Sequence, residues 1–494
     1  MRKIKNPSIF EINTRVWLKR FNTLEKEARI SDVPDSYWTD LALKGIDCIW
    51  LMGIWKTCES TIEKYCFEDF LQKNYSKALK DWKPEDVIGS PFAIDVYEIN
   101  PVIGDTESLL QLKAKLNSMG VRLILDFIPN HFSADTSLLI TNPEVFLSVP
   151  KEYFDRDPHT YFKPFEESEI YFAHGRDPFF PAWRDTVQVN YFKSEARNFM
   201  IDTLKNLTVL CDGVRCDMAM LNLTNTFQNT WGGVLSNNGF EKPEEEFWQI
   251  AVSTIKNINP NFLFIAEVYW DLEWRMQQLG FDFTYDKKLT DRLASADIWS
   301  IKSHLYAEKA FQERSLRFIE NHDEERSIVL FGKEKCKPSA VIISTLPGMH
   351  LYFDGQFEGK RIKLPVQLGR EPIEQKAECM PTFYSSLLFA IKDDVFKNGN
   401  WNLLECESSW PGNTAHGNMF AWHWNLGYES RLVVVNYSDK VATCRIKLDL
   451  TGYPEEFKMV DLLNHKIYYR SAEEVNSLDL YVELKSYHSH IFAY

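Results

Sequence analysis

In the apolar run DGVRCDMAM, Arg215 and Asp217 stand two residues apart. They therefore present a cation and a carboxylate to one face of a strand, while Val214, Cys216 and Met218 take the other. Burying two charges is costly and pairing them lowers the cost, so an ion pair serving structure alone is one reading of this segment. The pattern recurs, however. Glu267 ends the apolar run FLFIAE, Asp126 and His131 flank the end of LILDFIPNH, and His322 and Asp323 end SLRFIENHD. Four separate apolar segments thus finish in an acid or a histidine, at the end that feeds the next helical pattern. One shared site of acids and imidazoles accounts for all four more economically than four unrelated ion pairs.

Such a site needs elements that bring four strand ends together. Over roughly the first 390 residues, short β-rich apolar runs alternate with helical patterns. Eight strands are predicted, in SIFEINTRVWL, CIWLMGIW (48–55), VRLILDFIPN (121–130), GVRCDMAM (213–220), FLFIAEVY (262–269), FDFTYD (281–286), SLRFIENHD (315–323) and MHLYFDGQ (349–356). Helical patterns lie near Asp35–Leu43, in ESLLQLKAKLNSMG, which Gly120 stops, and in EARNFMIDTLKNL and EEEFWQIAVSTIKNI. The expected class is α/β, a (β/α)8 TIM barrel whose reactive groups gather at the C-terminal ends of the strands. An open doubly wound sheet gives the same local signal, but no GxGxxG or GxxxxGK[ST] turn follows an early strand.

Two stretches depart from the alternation. Residues 132–190, rich in Pro, Phe and Asp, are too long for a simple loop and read as an inserted subdomain. Residues 399–494 become alternating strands and turns (NMFAWHW, RLVVVNYS, ATCRIKLDL, KMVDLL, LDLYVEL, HSHIFAY), which predicts a C-terminal β-sandwich. The barrel is then formed by 1–131 and 191–398. A further insertion at about 56–90 either covers one side of the cleft or is a solvated helical decoration.

Composition narrows the class of function. A chain of 494 residues exceeds one compact core. Its formal net charge of -14 argues against nucleic acid as a partner. No apolar window long enough to span a membrane occurs, and the first residues lack the apolar core of a secretory signal. The nine cysteines are scattered, odd in number and without a CxxC pair, which speaks against zinc and a disulfide framework and for a reducing cytoplasm. Oligomeric state is not legible.

The segments DFIPNH, GVRCDMA, IAEVYW and FIENHD, in that order and spacing, resemble four signature regions of the α-amylase family, glycoside hydrolase family 13. SPFAIDVYEINPVIG, DTVQVNY (185–191) and GQFEG (355–359) resemble weaker family stretches. The likeness runs from about residue 8 to the C-terminus and implies a B subdomain after the third strand and a C-terminal β domain. It implies a retaining α-glycosidase acting on α-glucans or maltooligosaccharides. Asp217 matches the nucleophile, Glu267 the acid and base, and Asp323 the third carboxylate, which binds hydroxyls of the distorted sugar. His131 and His322 match hydrogen-bonding partners of that sugar. Phe92 stands where the family usually has a stacking Tyr, and Arg215 and Asp126 belong to the same expected substrate-binding set. The same carboxylates serve transglycosylases, isomerases and glycoside phosphorylases, which differ in the acceptor. A non-catalytic binding subunit would be expected to have lost one of the acids, and a metal-dependent barrel hydrolase would need a ligand set that is absent.

Many family members bind calcium between barrel and inserted subdomain, and Asn130 matches one usual ligand. The resemblance places Leu221 and Met220 where a His and a Lys often stand, and neither offers oxygen to a hard cation. No metal and no cofactor are therefore expected. Activity should be unaffected by EDTA; loss in EDTA with rescue by calcium would contradict this expectation.

Overall fold

The computed structural model describes residues 4–494. Eight strands close into a parallel barrel: β1 (Ser8–Asn13), β2 (Cys48–Met52), β3 (Arg122–Phe127), β4 (Gly213–Cys216), β5 (Leu263–Ala266), β6 (Phe283–Tyr285), β7 (Ser315–Arg317) and β8 (Met349–Phe353). Neighbours in the chain are neighbours in the barrel, and β1 closes it by pairing with β2 and β8. Each strand lies in one of the eight predicted segments.

Two-residue alternation sorts the side chains. Ile9, Trp50, Ile124, Ile265, Tyr285 and Leu351 fill the interior, while Phe10, Ile49, Leu125, Val214, Phe264 and Tyr352 pack outward under the helices. Arg215 falls on the inward set, one step above Gly213. A Cβ on Gly213 would lie 2.6 Å from the Leu263 Cβ and 2.7 Å from the Leu263 carbonyl oxygen. Only glycine fits there, and it lets β4 lie close to β5. The helices follow the expected patterns. Thr106–Ser118 begins with Asp105 accepting from the Ser108 N–H at 2.8 Å, buries Leu109, Leu112 and Leu116, and ends before Gly120 at φ 80°.

The strand His131–Ser133 pairs antiparallel with Thr186–Gln188, so both ends of the intervening segment are pinned at the mouth of the barrel beside β3. The 56–90 segment contains the helices Ser60–Tyr65 and Asp69–Ala78.

The C-terminal strands are β9 (Asn400–Leu404), β10 (Met419–Leu426), β11 (Glu429–Asn436), β12 (Ala442–Ile446), β13 (Glu456–Asp461), β14 (Lys466–Ser471), β15 (Leu480–Leu484) and β16 (Ser489–Ala493). They form a six-stranded sheet in the order β9-β10-β11-β16-β13-β14 and a two-stranded sheet β12-β15. Met419, Ala421, Leu432 and Val434 pack with Cys444, Ile446 and Val482 of the small sheet, giving the sandwich core. Phe420, Trp422, Trp424, Val433 and Val435 on the other face join the main barrel core. The expected strands form, and two unanticipated ones join them. β9 is short and half polar, and β14 is an outer strand with no buried residue, so neither carries an apolar alternation.

Trp424 is 1% exposed and donates its indole N–H to the Thr345 carbonyl at 2.8 Å, tying the C-terminal sheet to the helix Gly332–Thr345. Trp424→Ala should cost about 3–5 kcal/mol of stability by urea unfolding; a loss under about 1 kcal/mol would show that this seam is not under tension from packing.

Candidate active site

The Arg215 guanidinium, 1% exposed, is the hub of the barrel mouth. Nη1 donates to Asp217 Oδ1 at 2.8 Å and Nη2 to Glu267 Oε2 at 2.7 Å. Nε donates to the Tyr285 hydroxyl at 3.2 Å, and Nη1 lies 3.7 Å from Asp126 Oδ1. The rings of Trp50, Phe92 and Tyr285 lie 5.1, 5.5 and 5.7 Å from its central carbon. Parallel pairing of β4 with β3 and β5 puts these acids beside one another, with Arg215 level with Asp126 and Ile265. Beyond the strand ends the register persists: the Asp217 N–H bonds the Phe127 carbonyl at 2.8 Å and the Glu267 N–H bonds the Cys216 carbonyl at 3.0 Å.

β4 stops at Cys216, and Met218 turns into the left-handed region at φ 41° and ψ 44°. The alternation had placed Met218 on the outer face. Instead it lines the cleft, and its N–H donates to Glu267 Oε2 at 2.8 Å. Non-glycine residues rarely adopt this conformation, and here it spends backbone strain on aiming an N–H at a carboxyl. The Tyr269 hydroxyl holds the other oxygen, Oε1, at 2.9 Å.

Across the barrel, His322 is clamped between acids. Its Nδ1 lies 2.5 Å from Glu11 Oε1 on β1, and its Nε2 lies 2.8 Å from Asp323 Oδ2. Phe92 packs on the imidazole with ring centres 5.3 Å apart.

The electrostatics separate these groups. Burial pushes Glu267 up to about 7; Arg215 opposes this, while Asp217 and Asp323 add to it. Burial also pushes Asp217 upward, against the direct bond to Arg215. Asp126 rises to about 7 through burial, with Arg215 and the Gly53 N–H pulling it down. Asp323 sits at the exposed rim. Loss of water acts to raise it, but the adjacent His322 outweighs this and holds it down at about 2. His322 itself is held well above the usual imidazole range: burial alone would lower it, and Asp323 and Glu11 more than reverse that. Burial lowers His131 to about 3, so it is a neutral imidazole at any ordinary pH.

Asp217, Glu267, Asp323, His131 and Phe92 line one cleft of about 820 Å3. Asp126, Arg215 and His322, expected to touch substrate, do not line it. They lie a layer deeper, where Asp126 accepts from the Trp50 indole at 3.2 Å and from the Gly53 N–H at 3.1 Å. Trp183 and Tyr269 are cleft residues, and the 56–90 segment contributes Tyr65, Cys66, Glu68, Phe70 and Leu71 to the wall. Glu11, Tyr285 and the Met218 N–H escaped the sequence reading. Glu11 and Tyr285 each sit on an inward position of an apolar strand, the signal by which they could have been found.

Where the sequence raises a calcium ion, Asn130 and Gln188 meet. The Gln188 amide nitrogen donates to the Asn130 carbonyl at 2.8 Å, to Asn130 Oδ1 at 3.0 Å and to the Val189 carbonyl at 3.1 Å. Met220 and Leu221 are buried in the apolar core. Among the described residues no cluster of three or more His, Cys, Asp or Glu is arranged to hold a metal.

A family model described as the alpha-amylase catalytic domain matches residues 41–380, well over half the chain. Alpha-amylase 3 of Dictyoglomus thermophilum is 22% identical over 296 residues, 57% of this chain and 56% of that protein. Alpha-amylase MalA of Haloarcula japonica is 24% identical over 278 residues, 54% of this chain and 36% of its own. The matched region thus spans about half or less of these curated relatives. Among solved structures, a noncanonic maltogenic alpha-amylase from Thermotoga neapolitana superposes with a TM-score of 0.68 at 19% identity, covering 99% of both chains. An alpha-amylase from Geobacillus thermoleovorans, complexed with acarbose, gives 0.67 at 15% identity, covering 100% of this chain and 99% of that one. At these identities the likeness to solved structures is one of fold. With the family model matched over residues 41–380, which hold seven of the eight barrel strands, the chain belongs to the α-amylase family.

Proposed function

We propose that the protein is a retaining glycoside hydrolase that cleaves α-glucosidic bonds of short α-glucans or maltooligosaccharides. The observation that carries this reading is the bonding of one buried guanidinium to both Asp217 and Glu267 at the mouth of a cleft that also exposes Asp323. Three carboxyls facing one cleft, with protonation states set apart by their surroundings, are the equipment for forming and hydrolysing a glycosyl ester.

In this reading Asp217 attacks the anomeric carbon as the glycosidic C–O bond breaks. Glu267 gives its proton to the departing oxygen, and a β-linked ester to Asp217 forms. Glu267, now a carboxylate, takes a proton from water, whose oxygen displaces Asp217 and releases sugar of the original α configuration. One proton shared by the two acids suffices. With Glu267 protonated, Arg215 acts on Asp217 and keeps it anionic, while the Tyr269 hydroxyl can accept from the acid it otherwise donates to. Asp323, held anionic by His322, accepts sugar hydroxyls. Phe92 and neutral His131 shape the pocket around that sugar.

The reading requires no calcium. In support, the Gln188 amide and Asn130 are hydrogen-bonded to one another, with no anionic side chain in that contact to attract a hard cation. Cytoplasmic residence fits nine cysteines that are all unpaired. No described helix is long and apolar enough to cross a membrane.

Incubation with a panel of α-glucosides, followed by proton NMR, should give the α-anomer first with water as acceptor. A first-formed β-anomer would reject the mechanism, and a glycosyl phosphate or longer oligosaccharide would reject hydrolysis. Glu267→Gln should lower kcat by about 10²–10⁴-fold, and Asp217→Asn by at least as much, with the fold intact by circular dichroism. Full activity in either would reject the roles. Because protonated Glu267 is the active form, kcat/KM should fall as pH rises through about 7. In Glu267→Gln, an activated aryl glycoside that needs no acid should lose this alkaline limb; a limb that persists would place the titrating group elsewhere.

A further inference from the structure

We propose that Asp185 is a specificity-determining residue, whose carboxylate accepts hydroxyl groups of a sugar unit beyond the one that meets Asp217, Glu267 and Asp323. This deepens the reading of the same cleft as an α-glucoside site and rests on it. Asp185 lines the cleft on the wall where the 132–190 insertion faces the 56–90 segment.

Its carboxyl is a poor candidate for a purely structural group. Asp185 is half-buried, and a carboxyl serving structure at such a position would be expected to hold a protein donor or a cation. The adjacent cation does not serve it: Arg184 turns to Glu68 at 3.4 Å and lies over the Tyr65 ring at 5.6 Å. Among the described residues no side chain donates to the Asp185 carboxyl; its own backbone N–H does, and Glu68, of the same sign, repels it. Burial accordingly pushes it up to about 6, an unfavourable state that donors arriving with a ligand would relieve. A carboxylate is an acceptor only, with two oxygens, and vicinal hydroxyls of a pyranose are the matching donors.

The position is built firmly. The Asp185 carbonyl accepts from the Ala134 N–H at 2.8 Å, and Thr186 closes the turn through its hydroxyl on the Trp183 carbonyl at 2.7 Å. Behind it the Gly175 N–H donates to the Thr186 hydroxyl at 3.0 Å, which holds the turn from the other side. Trp183 and Tyr65 line the same wall and add aromatic surface beside the carboxyl. In the antiparallel pair Gln188 stands opposite His131 and Thr186 opposite Ser133, so Asp185, whose carbonyl meets Ala134, lies three residues further along than His131 and apart from the three clustered carboxyls. The distinction between a short and a long substrate would therefore be read here.

The test compares wild type with Asp185→Asn and Asp185→Ser across an aryl α-glucoside and the maltooligosaccharides from maltose to maltopentaose. Asp185→Asn keeps the size and removes the charge; melting temperatures report folding. The expected result is a loss of about 10- to 100-fold in kcat/KM, mainly through KM, on the oligosaccharides long enough to reach the wall, with the aryl glucoside changed by less than about twofold. An unchanged length profile, or an equal loss on the aryl glucoside, would overturn the inference while leaving the hydrolase reading intact. If wild type turns over none of the panel, that reading fails and the inference falls with it. Equal loss accompanied by a lowered melting temperature would assign Asp185 a structural role and also overturn it.

Discussion

Arg215 carries one positive charge, and three carboxyls surround it: Asp217 at 2.8 Å, Glu267 at 2.7 Å and Asp126 at 3.7 Å. All four side chains are buried. Three full negative charges against one positive charge in so dry a setting would repel strongly, so the cluster must retain protons. That constraint governs the chemistry. It keeps an acid available near neutral pH without lowering the local field that holds another carboxyl anionic. Removing the guanidinium would leave buried acids without compensation, and removing an acid would shift the protons on the others.

The fold exists, from this viewpoint, to hold that arrangement still. The barrel interior supplies a wall of Trp50, Tyr285 and Phe92 around the guanidinium, which excludes water and fixes the plane in which its nitrogens point. The close approach of β4 to β5 at Gly213 sets the acids side by side. Met218, in the left-handed region, contributes the N–H that fixes the orientation of Glu267. The second charged pair, Glu11 with His322, spans the closure of the barrel between residues far apart in the chain, and it transmits a fixed positive charge to Asp323 at the rim. The helix-facing side of the strands contributes mainly packing, although it also buries Thr284, Arg317 and His350. This division lets one barrel carry charge at its mouth and hydrophobic stability beneath the helices.

Much of this was legible in the residues because strand geometry is strongly periodic. Arg215 and Asp217 had to share a face, and the eight apolar segments had to alternate with helices, so the barrel and its reactive end followed from local rules. What local rules cannot supply is depth. Asp126, Arg215 and His322 looked equivalent to the cleft-lining residues in the sequence, yet they occupy a lower layer because depth depends on strand stagger. Contacts between distant strands were likewise invisible, as with Glu11 and His322. The departure of Met218 from its expected face follows from β4 ending at Cys216, before that residue is reached, and β9 and β14 lacked the buried alternation that identified their neighbours. The 56–90 segment could equally have been a decoration, and only the packed structure places Tyr65, Phe70 and Leu71 in the cleft wall.

The most direct measurement of the central claim is covalent trapping. A 5-fluoro-α-glucosyl fluoride forms the glycosyl ester quickly and releases it slowly, so the labelled side chain can be identified by peptic digestion and mass spectrometry. The account predicts one equivalent of label on the peptide containing Asp217, with none in Asp217→Asn. Label on any other residue, or inactivation without a covalent adduct, would contradict it.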